Sequence, residues 1–342
     1  MKKIIVWIML SLIVQTSGLY VFNKFICANS SEFKSKKIDI NKSKENTFNC
    51  SIPKEVNDIN LSTTGKYIAY LKDEVLNIED TKTGDTNKFK TENNEIVMYY
   101  TWLYDRDIMA IVEKVKKDGE EKIQLITYDV KNDSKTFVQE ICEFEKNIEV
   151  KNLTISVFTG VYYIQLNKNE TKSMIYRIDR NDDLSKVDIN AKLINNMKVI
   201  PHEDRLLYED KINNKIFVTS PNKQLKFDFN NELELLDIDK NDVIYLGEIN
   251  ENNILSILYG TVNEDISTWK KINIDSTINK DDLYCNNENQ ILINNNLEGY
   301  VKNLINDNKI EYDGKFIQLT KDFIVSVDGN GKLIYTSYKD II

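Results

Sequence analysis

Leu61-Ser62-Thr63-Thr64-Gly65-Lys66-Tyr67-Ile68-Ala69-Tyr70-Leu71, followed by Val75-Leu76-Asn77-Ile78-Glu79-Asp80 and then Thr83-Gly84-Asp85, is the stretch on which the fold is decided. Thr64-Gly65 reads as a turn, because glycine adopts backbone conformations that β-branched residues resist. Tyr67, Ala69 and Leu71 then share one face of a strand, and Ile68 and Tyr70 the other. An alanine between larger residues suits close sheet-on-sheet packing. Val75–Ile78 is a second strand, Thr83-Gly84-Asp85 a turn, and Thr86–Lys90 a third strand. There is room for one more strand before Tyr67.

The same rhythm returns along the chain. Ile96–Tyr104, Ile108–Val115, Ile123–Val130 and Thr136–Ile141 form a second set around the Asp118-Gly119 turn. A third is Val150–Phe158, Val161–Leu166, Met174–Ile178 and Leu184–Ile189, and a fourth is Lys198–Ile200, Arg205–Tyr208, Ile216–Thr219 and Leu225–Phe229. Glu234–Ile238, Val243–Leu246, Leu255–Tyr259 and Thr268–Ile274 make the fifth, and Leu283–Cys285, Gln290–Ile293, Gly299–Leu304 and Lys309–Tyr312 the sixth. Only three strands, Phe316–Leu319, Phe323–Val327 and Leu333–Tyr338, follow Asp313-Gly314. No stretch of the body carries a competing helical stripe. Seven units over residues 44–342 take about 43 residues each, within the roughly 40–45 of a four-stranded propeller blade. The reading is an all-β propeller of four-stranded blades, seven favoured, with six and eight as the neighbouring counts. Lys44–Pro53 supplies an unassigned strand that closes the ring onto the incomplete last set and protects its edge.

Ser62-Thr63-Thr64-Gly65-Lys66-Tyr67-Ile68-Ala69-Tyr70 resembles the S-P-D-G-K-x-I-A-Y line of the TolB-like, WD40-like propeller repeats. Leu76-Asn77-Ile78-Glu79-Asp80 with Thr83-Gly84 resembles that family's next strand and its D-x-x-T-G turn. Similar repeats build the propeller domains of the prolyl oligopeptidase and dipeptidyl-peptidase group, here without the hydrolase domain. Thr63 and Thr64 replace the family's Pro-Asp pair, and the match is clear in one repeat and rhythmic in the rest. The resemblance implies a propeller engaged in protein interactions of the cell envelope.

Ahead of the repeats, Met1-Lys2-Lys3 precedes a charge-free run, Ile4–Phe22. At about 1.5 Å per helical residue this run just spans a hydrocarbon core of about 30 Å. The division expected is residues 1–28 as signal-anchor or signal peptide, 29–43 as a polar tether and 44–342 as the propeller. An uncleaved transmembrane anchor with the body outside the cytoplasm is the first reading, and secretion after cleavage the second. Cys27 invites a lipoprotein reading, but Phe25 and Ile26 stand where small residues belong. The net charge of −9 opposes nucleic acid and anionic headgroups. Cys50, Cys142 and Cys285 have neither zinc nor CxxC spacing and read as isolated thiols, with pairing left open by the sequence.

The inventory for chemistry is thin. There is no G-x-S-x-G, HExxH, P-loop or G-x-G-x-x-G, and His202, in Pro201-His202-Glu203-Asp204-Arg205, is the sole histidine. It reads as an ion-paired loop residue. Asp105/Asp107 and Asp281/Asp282 are carboxylate pairs of the type that hydrolyse glycosides, but adjacent loop acids are ordinarily solvated turn residues. Asp328-Gly329-Asn330-Gly331 has part of a calcium loop and reads as a hairpin turn. Tyr99, Tyr100, Trp102 and Tyr104 read as core. Asn60, Asn132 and Asn152 begin N-x-S/T sequences. The expectation is a non-enzymatic, membrane-anchored binding platform for a protein or cell-envelope component, with no catalytic, cofactor or metal residues. The alternatives are a carboxylate-dependent glycoside hydrolase or lyase, and a ligand-sensing extracellular domain.

Overall fold

The computed structural model describes residues 2–22, 50, 52–53, 56–91, 95–227, 232–250, 253–274, 278–287 and 290–338. The chain divides into two units, Met1–Asn46 and Thr47–Ile342. In the first, α1 covers Lys2–Phe22. Its described large side chains, Trp7, Met9, Leu12, Val14, Leu19 and Tyr20, are between 55% and 72% exposed. At 3.6 residues per turn these positions go round the whole helix rather than marking one face. Among the described residues no helix is long and apolar enough to cross a membrane; the side chains of Ile4, Ile5, Val6, Ile8, Leu10 and Ile13 lie outside them. The tether at 29–43 and Cys27 also lie outside the described residues.

The second unit is seven antiparallel sheets, each a meander in chain order. Blade 1 holds β1 (Asn57–Leu61), β2 (Tyr67–Lys72), β3 (Val75–Asp80) and β4 (Thr86–Lys88). Blade 2 holds β5 (Ile96–Trp102), β6 (Ile108–Lys117), β7 (Glu120–Asp129) and β8 (Ser134–Glu143). Blade 3 holds β9 (Ile148–Ser156), β10 (Val161–Lys168), β11 (Lys172–Ile178) and β12 (Leu184–Lys186). Blade 4 holds β13 (Ile194–Val199), β14 (Leu206–Asp210), β15 (Lys215–Val218) and β16 (Lys223–Gln224). Blade 5 holds β17 (Glu232–Ile238), β18 (Ile244–Asn250), β19 (Asn253–Gly260) and β20 (Lys270–Asn273). Blade 6 holds β21 (Leu283–Asn287), β22 (Gln290–Asn295), β23 (Tyr300–Asn303) and β24 (Lys309–Glu311), and blade 7 holds β25 (Lys315–Leu319), β26 (Phe323–Val327) and β27 (Leu333–Ser337).

The first strands of the blades lie innermost: β1 touches β5, β5 touches β9, β9 touches β13, β13 touches β17, β17 touches β21, and β25 touches β1. All seven inner strands carry a bulge where they pair with their neighbours. A bulge bends a strand and re-aims its side chains. In blade 4 the bulged Asn196 donates its Nδ2–H to the Leu235 carbonyl of blade 5 at 2.9 Å, and in blade 3 Asn152 reaches the Met197 carbonyl of blade 4 at 3.2 Å. Asn152 is thereby occupied in an inter-blade contact.

Apolar clusters fill the spaces between adjacent blades. Tyr67 and Ala69 pack with Trp102, Met109 and Ile111 of blade 2, whereas Ile68 packs with Val325 and Leu333 of blade 7. The alternation expected for Tyr67–Leu71 therefore serves two different interfaces, and burial of each such large apolar side chain stabilises by about 1.5–3 kcal/mol. Tyr100 and Trp102 are core, as expected; Trp102 Nε1 donates to the Asn60 carbonyl at 3.1 Å.

Three expectations need adjustment. The fourth strand of blade 4 is Lys223–Gln224 rather than Leu225–Phe229, because Leu225 turns inward into the blade 4–5 cluster. The strand sought at Lys44–Pro53 falls partly outside the described residues, and Cys50, Ile52 and Pro53 form none. Cys50 and Ile52 are nonetheless buried against Leu61, Ile68, Val325 and Leu333, and the Ile52 N–H donates to the Gly331 carbonyl at 2.9 Å. The ring is joined there, between blades 7 and 1. Tyr104 departs from its aromatic neighbours and is 39% exposed.

Cys50, Cys142 and Cys285 are free thiols. Burial pushes the Cys142 thiol up to about 11, with Glu145 adding to it, and burial raises Cys285 as well. Neither is a ready thiolate nucleophile.

Candidate functional site

Because strands alternate in direction, the loops joining first to second strands emerge on the same face as those joining third to fourth. That face carries a lateral chain of contacts. Thr63 donates to the Leu103 carbonyl at 3.0 Å and Thr64 to Asp107 at 2.7 Å, linking blades 1 and 2. Tyr104 of blade 2 meets Phe158 of blade 3 with ring centroids 5.7 Å apart. Phe158 stacks on His202 of blade 4 at 4.1 Å and 21°. His202 then pairs with Asp242 of blade 5, through its backbone N–H at 2.9 Å and through Nδ1 at 3.1 Å. Phe158 is 58% exposed. The result is an aromatic arc across three neighbouring blades on that loop face, at the ends of the inner strands.

The His202 loop is held from all sides. Ser156 donates to the Pro201 carbonyl. Asp204 accepts from Arg177 Nε at 3.0 Å and from its Nη2, and from the Tyr163 hydroxyl at 2.7 Å. Glu203 accepts from Arg205 at 3.0 Å and from Asn263 of blade 5 at 2.7 Å. Charge-assisted, forked contacts of this kind fix geometry as well as adding energy. The Arg177 guanidinium, helped by Tyr163, holds the Asp204 carboxyl below the usual carboxylate range against the opposing effect of burial. A carboxyl with a depressed folded pKa stabilises the fold above its unfolded value and loses that contribution as pH falls through the folded value. We therefore expect Asp204→Asn to be less stable than wild type at neutral pH and to show a shallower loss of stability below about pH 4, read from urea midpoints across pH.

The other singled-out residues are absorbed locally. Asp105 is paired with Arg106 at 2.5 Å, and the hydrogen bond from Arg106 holds its carboxyl low. Burial, with the Asp105 charge adding to it, pushes the Tyr104 phenol up to about 12. Asp281 and Asp282 sit in the short 3-10 turn Lys280–Asp282. Asp328 accepts from the N–H groups of Asn330 at 2.8 Å and Lys332 at 2.9 Å, a hairpin turn. Asn132 caps its own turn by donating to Asp129 at 2.7 Å. No group of metal-binding side chains occurs among the described residues. Four cavities lined by described residues hold between about 130 and 250 Å³, below the roughly 300–1,000 Å³ of small-molecule pockets.

Sequence reasoning placed His202 in a polar loop between strands, which is where the structure has it, against Asp242. It missed Phe158, whose partners come from other blades, and it placed Tyr104 in the core. The only available signal was the interval between blades, which sets Tyr104, Phe158 and His202 at corresponding ends of successive first strands.

No protein-family model matches the chain, and no curated protein matches it. Among solved structures, the chain is similar to the β-propeller domain of Cps50 (Swd1) from Myceliophteria thermophila, at 10% identity and a TM-score of 0.51 over 84% of this chain and 100% of that one. It is similar to a prolyl endopeptidase at 11% identity and a TM-score of 0.51, covering 82% of this chain and 46% of that chain, less than half of its length. TolB from Acinetobacter baumannii matches at 10% identity and a TM-score of 0.37, over 65% of this chain and 55% of that one. At these identities the likeness concerns fold alone, and together with the strand order it makes this chain a seven-bladed β-propeller.

Proposed function

We propose that the chain is a non-enzymatic binding platform, held at a membrane by its N-terminal segment with the propeller outside the cytoplasm, and that it binds a protein of the cell envelope. The observation that carries the binding reading is the aromatic arc Tyr104–Phe158–His202, exposed on loops that are clamped in place. Exposed aromatics on preorganised loops are what a protein interface uses for its central contacts, because little entropy is lost when they bind.

The membrane reading is supported by the charge-free run Ile4–Phe22 and by the apolar side chains exposed all round α1. Tethering raises the effective concentration of the platform toward neighbouring envelope complexes. Fractionation of cells expressing the chain with a C-terminal tag tests this. The full chain is expected in the carbonate-resistant membrane fraction and accessible to external protease. A full-length chain that stays in the soluble fraction would contradict the anchor.

For the partner, cells are cross-linked, membranes solubilised and the recovered proteins compared with an α1-only control. A specific partner whose recovery is lost on Phe158→Ala is the expected result. Recovery no different from the control would count against the platform.

A further inference from the structure

Of the 45 basic residues in the chain, only four are arginines: Arg106, Arg177, Arg180 and Arg205. All four lie on the face that carries the aromatic arc, in blades 2 to 4. Three are engaged with carboxylates of the chain itself, Arg106 with Asp105, Arg177 with Asp204 and Arg205 with Glu203. Arg180 is exposed and makes no ion pair or hydrogen bond among the described residues.

A chain that uses lysine as its ordinary cation has placed arginine only here. The two are not interchangeable: guanidinium presents a planar fork that matches a carboxylate at two points, whereas ammonium acts as a point charge. Arg106 and Arg177 are used in this sense, each meeting one carboxylate through Nε and Nη2, whereas Arg205 reaches Glu203 through Nη1 alone and gives its Nε–H to the Thr219 carbonyl. The turn bearing Arg180 is fixed, since Asp179 accepts the N–H groups of Asn181 at 2.8 Å and Asp183 at 3.1 Å, and the Asp182 carbonyl accepts from Gln139 of blade 2 at 2.6 Å. It lies against the turn of Phe158, because a Cβ on Gly160 would fall 3.0 Å from the Arg180 Cβ. An unpaired guanidinium, carried on a fixed turn, and an exposed aromatic ring thus stand on two turns in contact.

Resting on the platform reading above, we infer that this sector recognises a protein segment bearing a carboxylate beside an aromatic or branched apolar side chain, with Arg180 receiving the carboxylate and Phe158 the apolar group. Asp182 and Asp183 beside Arg180, and the overall charge of −9, select an isolated carboxylate and disfavour a polyanionic strand.

The test is selection of a displayed random-peptide library on the immobilised full-length protein, followed by titration of the recovered peptides. The peptides are expected to share Asp or Glu next to an aromatic or branched residue. Arg180→Ala should weaken them by about tenfold or more, and amidation of the peptide's acid by a similar factor. Arg180→Lys should restore only part of the loss, and Lys215→Ala on the opposite face should change nothing. Peptides without acids, or affinity unchanged in Arg180→Ala, would overturn the inference. If such peptides still fail on Phe158→Ala, the platform reading survives alone. If they respond only to changes on the opposite face, or no binder is recovered, both fall.

Discussion

Replacing Gly314 by alanine is expected to lower the unfolding free energy by about 2–4 kcal/mol, or to prevent accumulation of folded protein. Gly314 links blades 6 and 7 at φ +86°, a conformation that L side chains rarely adopt. An added Cβ would lie 2.5 Å from the Val327 carbonyl oxygen and 2.9 Å from its carbon. Those are backbone atoms of β26, the middle strand of the last blade, so they cannot swing aside as a side-chain tip would. Strain and overlap therefore add, at the entrance to the blade through which the ring is closed. Gly119 is the control: its φ is +88°, but a Cβ there meets nothing within 4 Å. Gly119→Ala should cost only the conformational part, about 1 kcal/mol. Urea denaturation of both variants decides the matter, and equal midpoints would show that the contact at Val327 relaxes.

Removing the aromatic arc should have the largest effect on binding. Phe158→Ala combined with His202→Ala takes away the stacked pair at the centre of the arc and the side-chain contact to Asp242. Loss of two central contacts of an interface is expected to weaken the partner recovered by cross-linking by about 30-fold or more, with about 2–4 kcal/mol removed. Both side chains are exposed, so the melting temperature should move little. The two substitutions should also be non-additive, because the rings touch. A double variant that binds like wild type would show that the arc is not the contact surface.

Much of the architecture was written locally. Asp118-Gly119 reads as a hairpin turn, and both residues have the positive φ such a turn needs, +54° and +88°. Tyr67–Leu71 alternates because each face of the strand meets a different blade. The first strand of blade 1 was less legible: Asn57-Asp58-Ile59-Asn60 is polar, and Asp58 has a φ of +54° at the bulge. The site was legible only in part. His202 stands out by being unique, but its partners Phe158 and Asp242 lie 44 and 40 positions away, and Glu203 meets Asn263 60 positions on. Such contacts follow from how the blades are set around the ring. Arginine usage was visible from the start, but gained meaning only when the fold put all four on one face.

The claim that the loop face of blades 2 to 5 is where the partner docks is most directly tested by site-specific photo-cross-linking in cells. A photoreactive residue is placed at Phe158, or at Leu297, which is 99% exposed in a hairpin on the opposite face. A discrete adduct from position 158 and none from position 297 is the result expected. An adduct from position 297 alone would place the partner on the other side of the ring and contradict the account.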